Sequence, residues 1–199
     1  MDNSADPSIQ LSPKAEEITQ RTSELLARGG YDSFSYADIA ELVQVRKASI
    51  HHHFPTKADL VKATVARHCE AIRQGLRSLD KSTPDPLQRL EAYCQWWAAC
   101  IEASAPPICI CALLAAELPS IPTEVADQVR CHFEELSAWL TAVIAEGRSA
   151  GRVSLAVEPP TEALAFMASI HGAMLAARAL GDSRVFSSIT ERSLDRLRP

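Results

Sequence analysis

The sequence predicts an all-α protein: an N-terminal helix-turn-helix unit of three helices followed by a larger helical body. Three observations carry this prediction. Apolar residues recur at helical spacing along nearly the whole chain, prolines or glycines punctuate nearly every boundary, and no segment shows the alternation of a strand. The chain has 199 residues, 47% of them hydrophobic and 23% charged, enough apolar material to bury a core. The expected organisation is a polar leader over 1–11, a helix-turn-helix unit over 12–56 and a helical body over 57–199.

The first helix is expected at Ser12-Pro13, with serine as the cap and proline where a missing N–H costs nothing. Ala15, Ile18, Leu25 and Leu26 form its apolar stripe, and Gly29-Gly30 stops it. Ser35 and Asp38 make a capping box for the second helix, with Ile39, Ala40 and Val43 facing inward. Gln44-Val45-Arg46 is the turn. The third helix covers about Lys47–His53, anchored by Ile50 and Phe54, and Pro55 ends it. Thr56 and Asp59 repeat the capping pattern for a long fourth helix running to about Leu79. Further helices are expected near Pro86–Ala103, Pro107–Leu118, Pro122–Ala150, Pro160–Leu180 and Ser183–Arg196.

Two short helices joined by a tight turn suit a DNA reader whose second helix enters the major groove. The net charge of −5 hides a local excess: between Gln44 and His68 stand Arg46, Lys47, Lys57, Lys62 and Arg67 against Asp59 alone. Phosphate binding needs a basic face, not a basic protein. With Ile50 and Phe54 inward, Lys47, Ala48, Ser49, His51 and His52 project outward, and Lys57 adds a cation at a helix N-terminus. A plain bundle with a solvated basic edge is the bland alternative. The run His51-His52-His53 fans out by about 100° per residue, so it cannot converge on one ion. Two of these histidines are expected toward DNA, and His53 partly packed.

The segment from Ile39-Ala40 through Val45-Arg46-Lys47-Ala48-Ser49-Ile50-His51-His52-His53-Phe54-Pro55-Thr56-Lys57-Ala58-Asp59-Leu60 resembles the DNA-binding half of the TetR family of bacterial transcriptional regulators. The signature spans roughly residues 13–62, and the remainder is similar in helical layout and length. The resemblance implies a homodimer that binds a palindromic double-stranded operator and releases it when a small effector enters the C-terminal body. It places Ser49, His51, His52 and Lys57 on phosphates, and Lys47 and Ala48 nearest the bases. Three positions depart from the family pattern: Gln44 stands where glycine is usual, Arg46 where serine or threonine caps the third helix, and His51 where tyrosine is common. Arg46 cannot cap as serine does, at about 1 kcal/mol, but its guanidinium can reach a phosphate or a guanine.

By the same resemblance the two long late helices form the dimer interface, expected through Phe133, Met167, Ile170, Gly172, Met174 and Leu175. The effector pocket is expected between the fourth and middle helices, walled by Trp96, Trp97, Cys100, Cys109 and Leu113, with Glu102 and Glu117 as the nearer charges. Such a wall suits a hydrophobic or aromatic ligand, although tryptophan and cysteine at helical spacing are also the pattern of plain core.

Six cysteines without an export signal are expected to be reduced thiols. None has zinc-site spacing, so neither metal nor other cofactor is expected. Cys109 and Cys111 would point about 200° apart on a helix and could not share an ion unless the segment unwinds. Cys109 at a helix start, with Glu117 eight residues later, is also similar in position to the sensing cysteine of the family's electrophile-responsive branch. That makes a thiol sensor the alternative to a non-covalent ligand. A DNA-bound scaffold acting through a protein partner is the alternative of another class. His68, Cys69 and Glu70 are adjacent and diverge, so no catalytic set is assembled and no enzyme is expected. The stretch Ala163–Leu180 contains His171 and Arg178, so no membrane span is expected, and a cytoplasmic location is.

Overall fold

A computed structural model describes residues 11–103 and 108–199. Residues 1–10 of the expected leader, and Pro107 at the expected start of the sixth helix, lie outside the described residues. Among the described residues there are nine α-helices and no strand: α1 (Pro13–Gly29), α2 (Tyr36–Val43), α3 (Lys47–His53), α4 (Lys57–Ser82), α5 (Pro86–Glu102), α6 (Ile110–Ala116), α7 (Thr123–Ser149), α8 (Pro159–Leu180) and α9 (Arg184–Asp195). A single 3-10 turn, Tyr31–Ser33, follows α1.

The caps fall where the sequence puts them. The Ser12 hydroxyl accepts from the amide of Ala15, and Ser35–Asp38 and Thr56–Asp59 form complete capping boxes on α2 and α4. Gln44 adopts the left-handed conformation at φ 54°, which is why glycine is common there: the side chain's Cβ is crowded by the following carbonyl. Arg46 precedes α3 without a side-chain cap. The sixth helix is shorter than expected, because Cys109 is extended (φ −64°, ψ 120°) and only Ile110 begins the turn.

Ile18, Leu26, Phe34, Ile39, Val43, Ile50, Phe54 and Leu60 bury together and fix α1–α3 against the start of α4. From there α4 extends into the body, packing on α1, α5 and α7, while α7, α8 and α9 pack successively. The buried Arg89 guanidinium holds the α4–α5 connection: it donates to Thr83 O at 2.9 Å, Pro84 O at 3.0 Å and both Glu146 carboxylate oxygens at 3.0 Å. Two links tie the body back to the end of α1. Arg178 of α8 donates to Ala27 O at 2.7 Å and also to Arg28 O, and Glu117 accepts from the Tyr31 amide at 2.8 Å.

By length and composition α8 could cross a membrane. Here its Ala163, Phe166, Ile170, Ala173, Met174 and Ala177 are buried, against α7 and α9. Ile170 and Met174, expected at a dimer interface, therefore belong to the core of one chain. Gly172 and Leu175 (45% exposed) of the expected set do face outward, together with Leu164 (53%) and Ala168. Met167 and Phe133 are half-buried between the two faces.

Candidate nucleic-acid interface and sensor cluster

α3 is held by two anchors, Ile50 and Phe54, and by the Tyr36 hydroxyl, which donates to Phe54 O at 2.8 Å. Burial pushes that hydroxyl up to about 12, so it remains a donor through the physiological range. With the anchors inward, Arg46, Lys47, Ala48, His51 and His52 are exposed and Ser49 is half-exposed. His51 lies 4.6 Å from the Tyr36 ring, and its Nδ1 is 3.1 Å from Pro55 O. His53 is half-buried, and its ring packs edge-on to that of His52 at 5.4 Å. α3 thus presents a short convex face of cations, small residues and imidazoles.

Lys57, expected on a phosphate, is half-buried and engaged within the chain. Its ammonium turns inward, donates to Phe34 O at 2.6 Å and lies over the rings of Tyr31 (4.7 Å) and Phe34 (4.5 Å). The carbonyl and two ring faces replace part of the solvation that the ammonium gives up. Burial lowers its pKa, countered by Asp32, Asp38 and Glu117.

The residues of the expected effector wall differ in exposure and surroundings. Trp96 is exposed and lines an apolar cleft between α4 and α5 of ≈ 190 Å³, with Ile72, Gly75, Leu76, Leu79 and Tyr93. Trp97 is buried in the core, and its indole N–H has no partner among the described residues. Cys100 and Leu113 are half-buried and Cys109 fully buried, and none of the three lines this cleft. Adjacent residues on a helix turn about 100° apart, so one of two neighbouring tryptophans had to leave the wall.

Cys109 stands instead in a buried thiol–imidazole cluster that spacing along the chain conceals. Its Sγ lies 3.4 Å from His68 Nε2 and 3.8 Å from His132 Nε2, and Cys69 Sγ lies 3.9 Å from Cys111 Sγ. The expected divergence of Cys109 and Cys111 fails because Cys109 precedes α6 in extended backbone. Three overlapping sets each hold their ligating atoms within 4.8 Å of one another: His68, Cys109 and Cys111; Cys69, Cys111 and His132; Cys109, His132 and His171. His68 and Cys69, expected to part, enter the cluster side by side, while Glu70 turns away to pair with Arg73 and Arg77. A hydrogen bond from Cys111 lowers Cys69 to about 5 against its burial, with help from His132 and His68. Cys109 is likewise lowered, by Cys111 first and then by His68, His132 and His171 against burial. Burial opposes charge on His132, but hydrogen bonds to Cys109 and Cys69 push it up to about 10.

Comparison with known proteins decides the family. Residues 18–64 match the family model described as bacterial regulatory proteins, tetR family, and residues 86–192 match the tetracyclin repressor-like C-terminal domain. The chain belongs to the TetR family. It is a DNA-binding transcriptional regulator of the helix-turn-helix type. A solved TetR-family transcriptional regulator from Agrobacterium tumefaciens is 47% identical, with a TM-score of 0.92 over 94% of this chain and 98% of that one. The HTH-type transcriptional regulator LuxR of Vibrio harveyi is 39% identical over 57 residues, 28% of each chain. The HTH-type transcriptional activator FasR of Mycolicibacterium smegmatis is 33% identical over 70 residues, 35% of this chain and 32% of that protein. The TetR-family chain thus spans about a third or less of these two curated relatives.

Proposed function

We propose that this TetR-family regulator is a homodimeric repressor that binds a palindromic operator through α3 and leaves it when an effector occupies the body. The observation that carries this reading is the pair of links from the body to the end of α1, Arg178 to Ala27 and Arg28 and Glu117 to Tyr31. Through them a shift of α6 or α8 moves the three-helix unit. In a dimer, α3 of each protomer reads one half-site, and a change in their separation takes both out of successive major grooves. Arg46, Lys47, Ala48, Ser49, His51 and His52 are the contact residues, and the outward face of α8, with Leu164, Gly172 and Leu175, joins the protomers. An effector that prefers the DNA-free form by about 1–3 kcal/mol loosens binding about 5–150-fold.

The test is fluorescence anisotropy with DNA from upstream of the chain's own gene, titrated across salt. Sequence-preferring, salt-dependent binding supports the reading, and its absence overturns it. A second reading, thiol sensing through Cys109, is favoured by the imidazole of His68 at 3.4 Å from its sulfur. It requires the buried Cys109 to open to the electrophile. Loss of DNA binding on treatment with a small electrophile, abolished in Cys109→Ser, supports it.

A further inference from the structure

Cys69, Cys109 and Cys111 with His68, His132 and His171 converge on one small region of the body. Its donors are soft: three thiols and up to three imidazoles, with no carboxylate in any of the three sets. That composition disfavours magnesium and calcium, which take oxygen ligands, and selects copper(I) or zinc(II). Bonds of about 2.3 Å to sulfur and 2.0 Å to nitrogen in a tetrahedral arrangement separate sulfurs by about 3.8 Å, and sulfur from nitrogen by about 3.5 Å. The separations present are 3.9 Å for Cys69 and Cys111, 3.8 Å for Cys109 and His132, and 3.4 Å for His68 and Cys109.

Burial points the same way. Cys69, Cys109, Cys111, His132 and His171 are all at most 8% exposed. A buried imidazole nitrogen ordinarily has a partner, yet Nε2 of His171 has none among the described residues. It belongs to the set with Cys109 and His132. A buried nitrogen without a partner, on a ring that comes within 4.8 Å of the Cys109 and His132 ligating atoms, is a second, independent mark of a ligand site.

We propose that this cluster binds a thiophilic d10 cation, copper(I) or zinc(II), at Cys109, with the rest of the shell drawn from the two sets that contain it, His68 with Cys111 and His132 with His171. Three-ligand sets suit the low coordination number of copper(I), and zinc(II) draws its fourth ligand from the neighbouring set. The ligands come from α4, the start of α6, α7 and α8, so an ion there draws four elements together. Its role as the effector rests on the repressor reading above. α6 carries Cys111 in its first turn and ends at Glu117, whose carboxylate holds Tyr31. An ion that resets the start of α6 therefore acts on the link to the DNA-binding unit.

The experiment uses the full chain with its thiols reduced. Copper(I) is titrated against bicinchoninate and zinc(II) against a chromophoric chelator, with X-ray absorption on the loaded protein. One equivalent bound per chain, with sulfur and nitrogen neighbours, is expected for one of the two ions. Binding weakens by more than the roughly 10–100-fold typical of losing an outer-shell partner in Cys109→Ser and in His132→Gln, each checked for folding by circular dichroism. It is unchanged in Cys131→Ser, whose sulfur is exposed and outside the three sets. The half-exposed His68→Gln adds a variant that leaves the core packing alone. No stoichiometric binding by the wild type, or binding that survives Cys109→Ser in folded protein, overturns the site. Operator anisotropy, run separately, decides the role. Release by the bound ion supports it, and an operator complex indifferent to a stoichiometrically bound ion overturns the effector role. Absence of any operator binding overturns the repressor reading and leaves the metal site standing.

Discussion

The carboxylate of Glu117, at the end of α6, accepts the amide hydrogen of Tyr31 at 2.8 Å, and Gly30 beside it leaves the room for this contact. A Cβ on Gly30 would fall 1.8 Å from Glu117 Oε1, and Gly30 holds φ +80°. Both observations make this glycine the seat of a strap between body and reading unit.

Gly30→Ala should therefore lower stability by about 1–3 kcal/mol, from positive-φ strain and expulsion of the carboxylate. Glu117→Ala should cost less, about 1 kcal/mol, by leaving the Tyr31 N–H to solvent. Urea denaturation measures both. If the strap transmits the effector signal, Glu117→Ala should also keep operator affinity while blunting its release.

Lys57 and Lys47 should separate in a salt titration. Lys47 is exposed on α3, whereas the Lys57 ammonium is engaged with Phe34 O and two rings. Lys47→Ala should reduce the slope of log affinity against log salt by about one. Lys57→Met should leave that slope nearly unchanged and lower stability by about 1 kcal/mol through the lost charge-assisted bond. A slope change in Lys57→Met would show that the side chain swings out to a phosphate.

Gln44→Gly should stabilise the chain by about 0.5–1 kcal/mol, because only the left-handed backbone at φ 54° sets the preference and glycine adopts it freely. Thermal melting of the two proteins under one buffer checks the sign.

Asp38 gives a pH dependence with a definite sign. Hydrogen bonds from the Ser35 hydroxyl and backbone hold its carboxyl below the usual carboxylate range. A depressed folded-state value stabilises the charged form, so the contribution is present above the ordinary carboxylate range, about pH 4, and is lost as pH falls through the lower folded value. Asp38→Asn should remove that part of the acid sensitivity, measured as the difference in unfolding free energy between pH 6 and pH 3.

What was legible in the sequence was local. Ser12, Ser35 and Thr56 announce helix starts because a side-chain oxygen serves amides two or three residues away, and Ile50 with Phe54 fixes the outer face of α3 by spacing alone. The cluster was not legible, because its members come one or two at a time from α4, α6, α7 and α8. No periodicity within one helix reports what another brings to it. The Cys109–Cys111 geometry failed for a local reason: one residue of extended backbone before α6 cancels the helical offset assumed for the pair. The pattern does not reveal that Ile170 and Met174 point into the core, because α8 is apolar nearly all round and so has no phase.

That lack of phase makes α8 the place to test the proposed dimer. Leu175 is 45% exposed and Leu164 53%, on the same outward face as Ala168 and Gly172, whereas Ile170 is 1% exposed. Leu175→Glu puts a charge on the outward face without touching the core. It should yield a folded monomer by sedimentation and weaken operator binding, since one recognition helix reads only one half-site. Ile170→Ala should act the other way, costing about 2–5 kcal/mol of stability through a buried cavity while leaving the assembly state unchanged in the folded fraction. A dimer undisturbed by Leu175→Glu and Leu164→Glu together would move the interface off this face of α8.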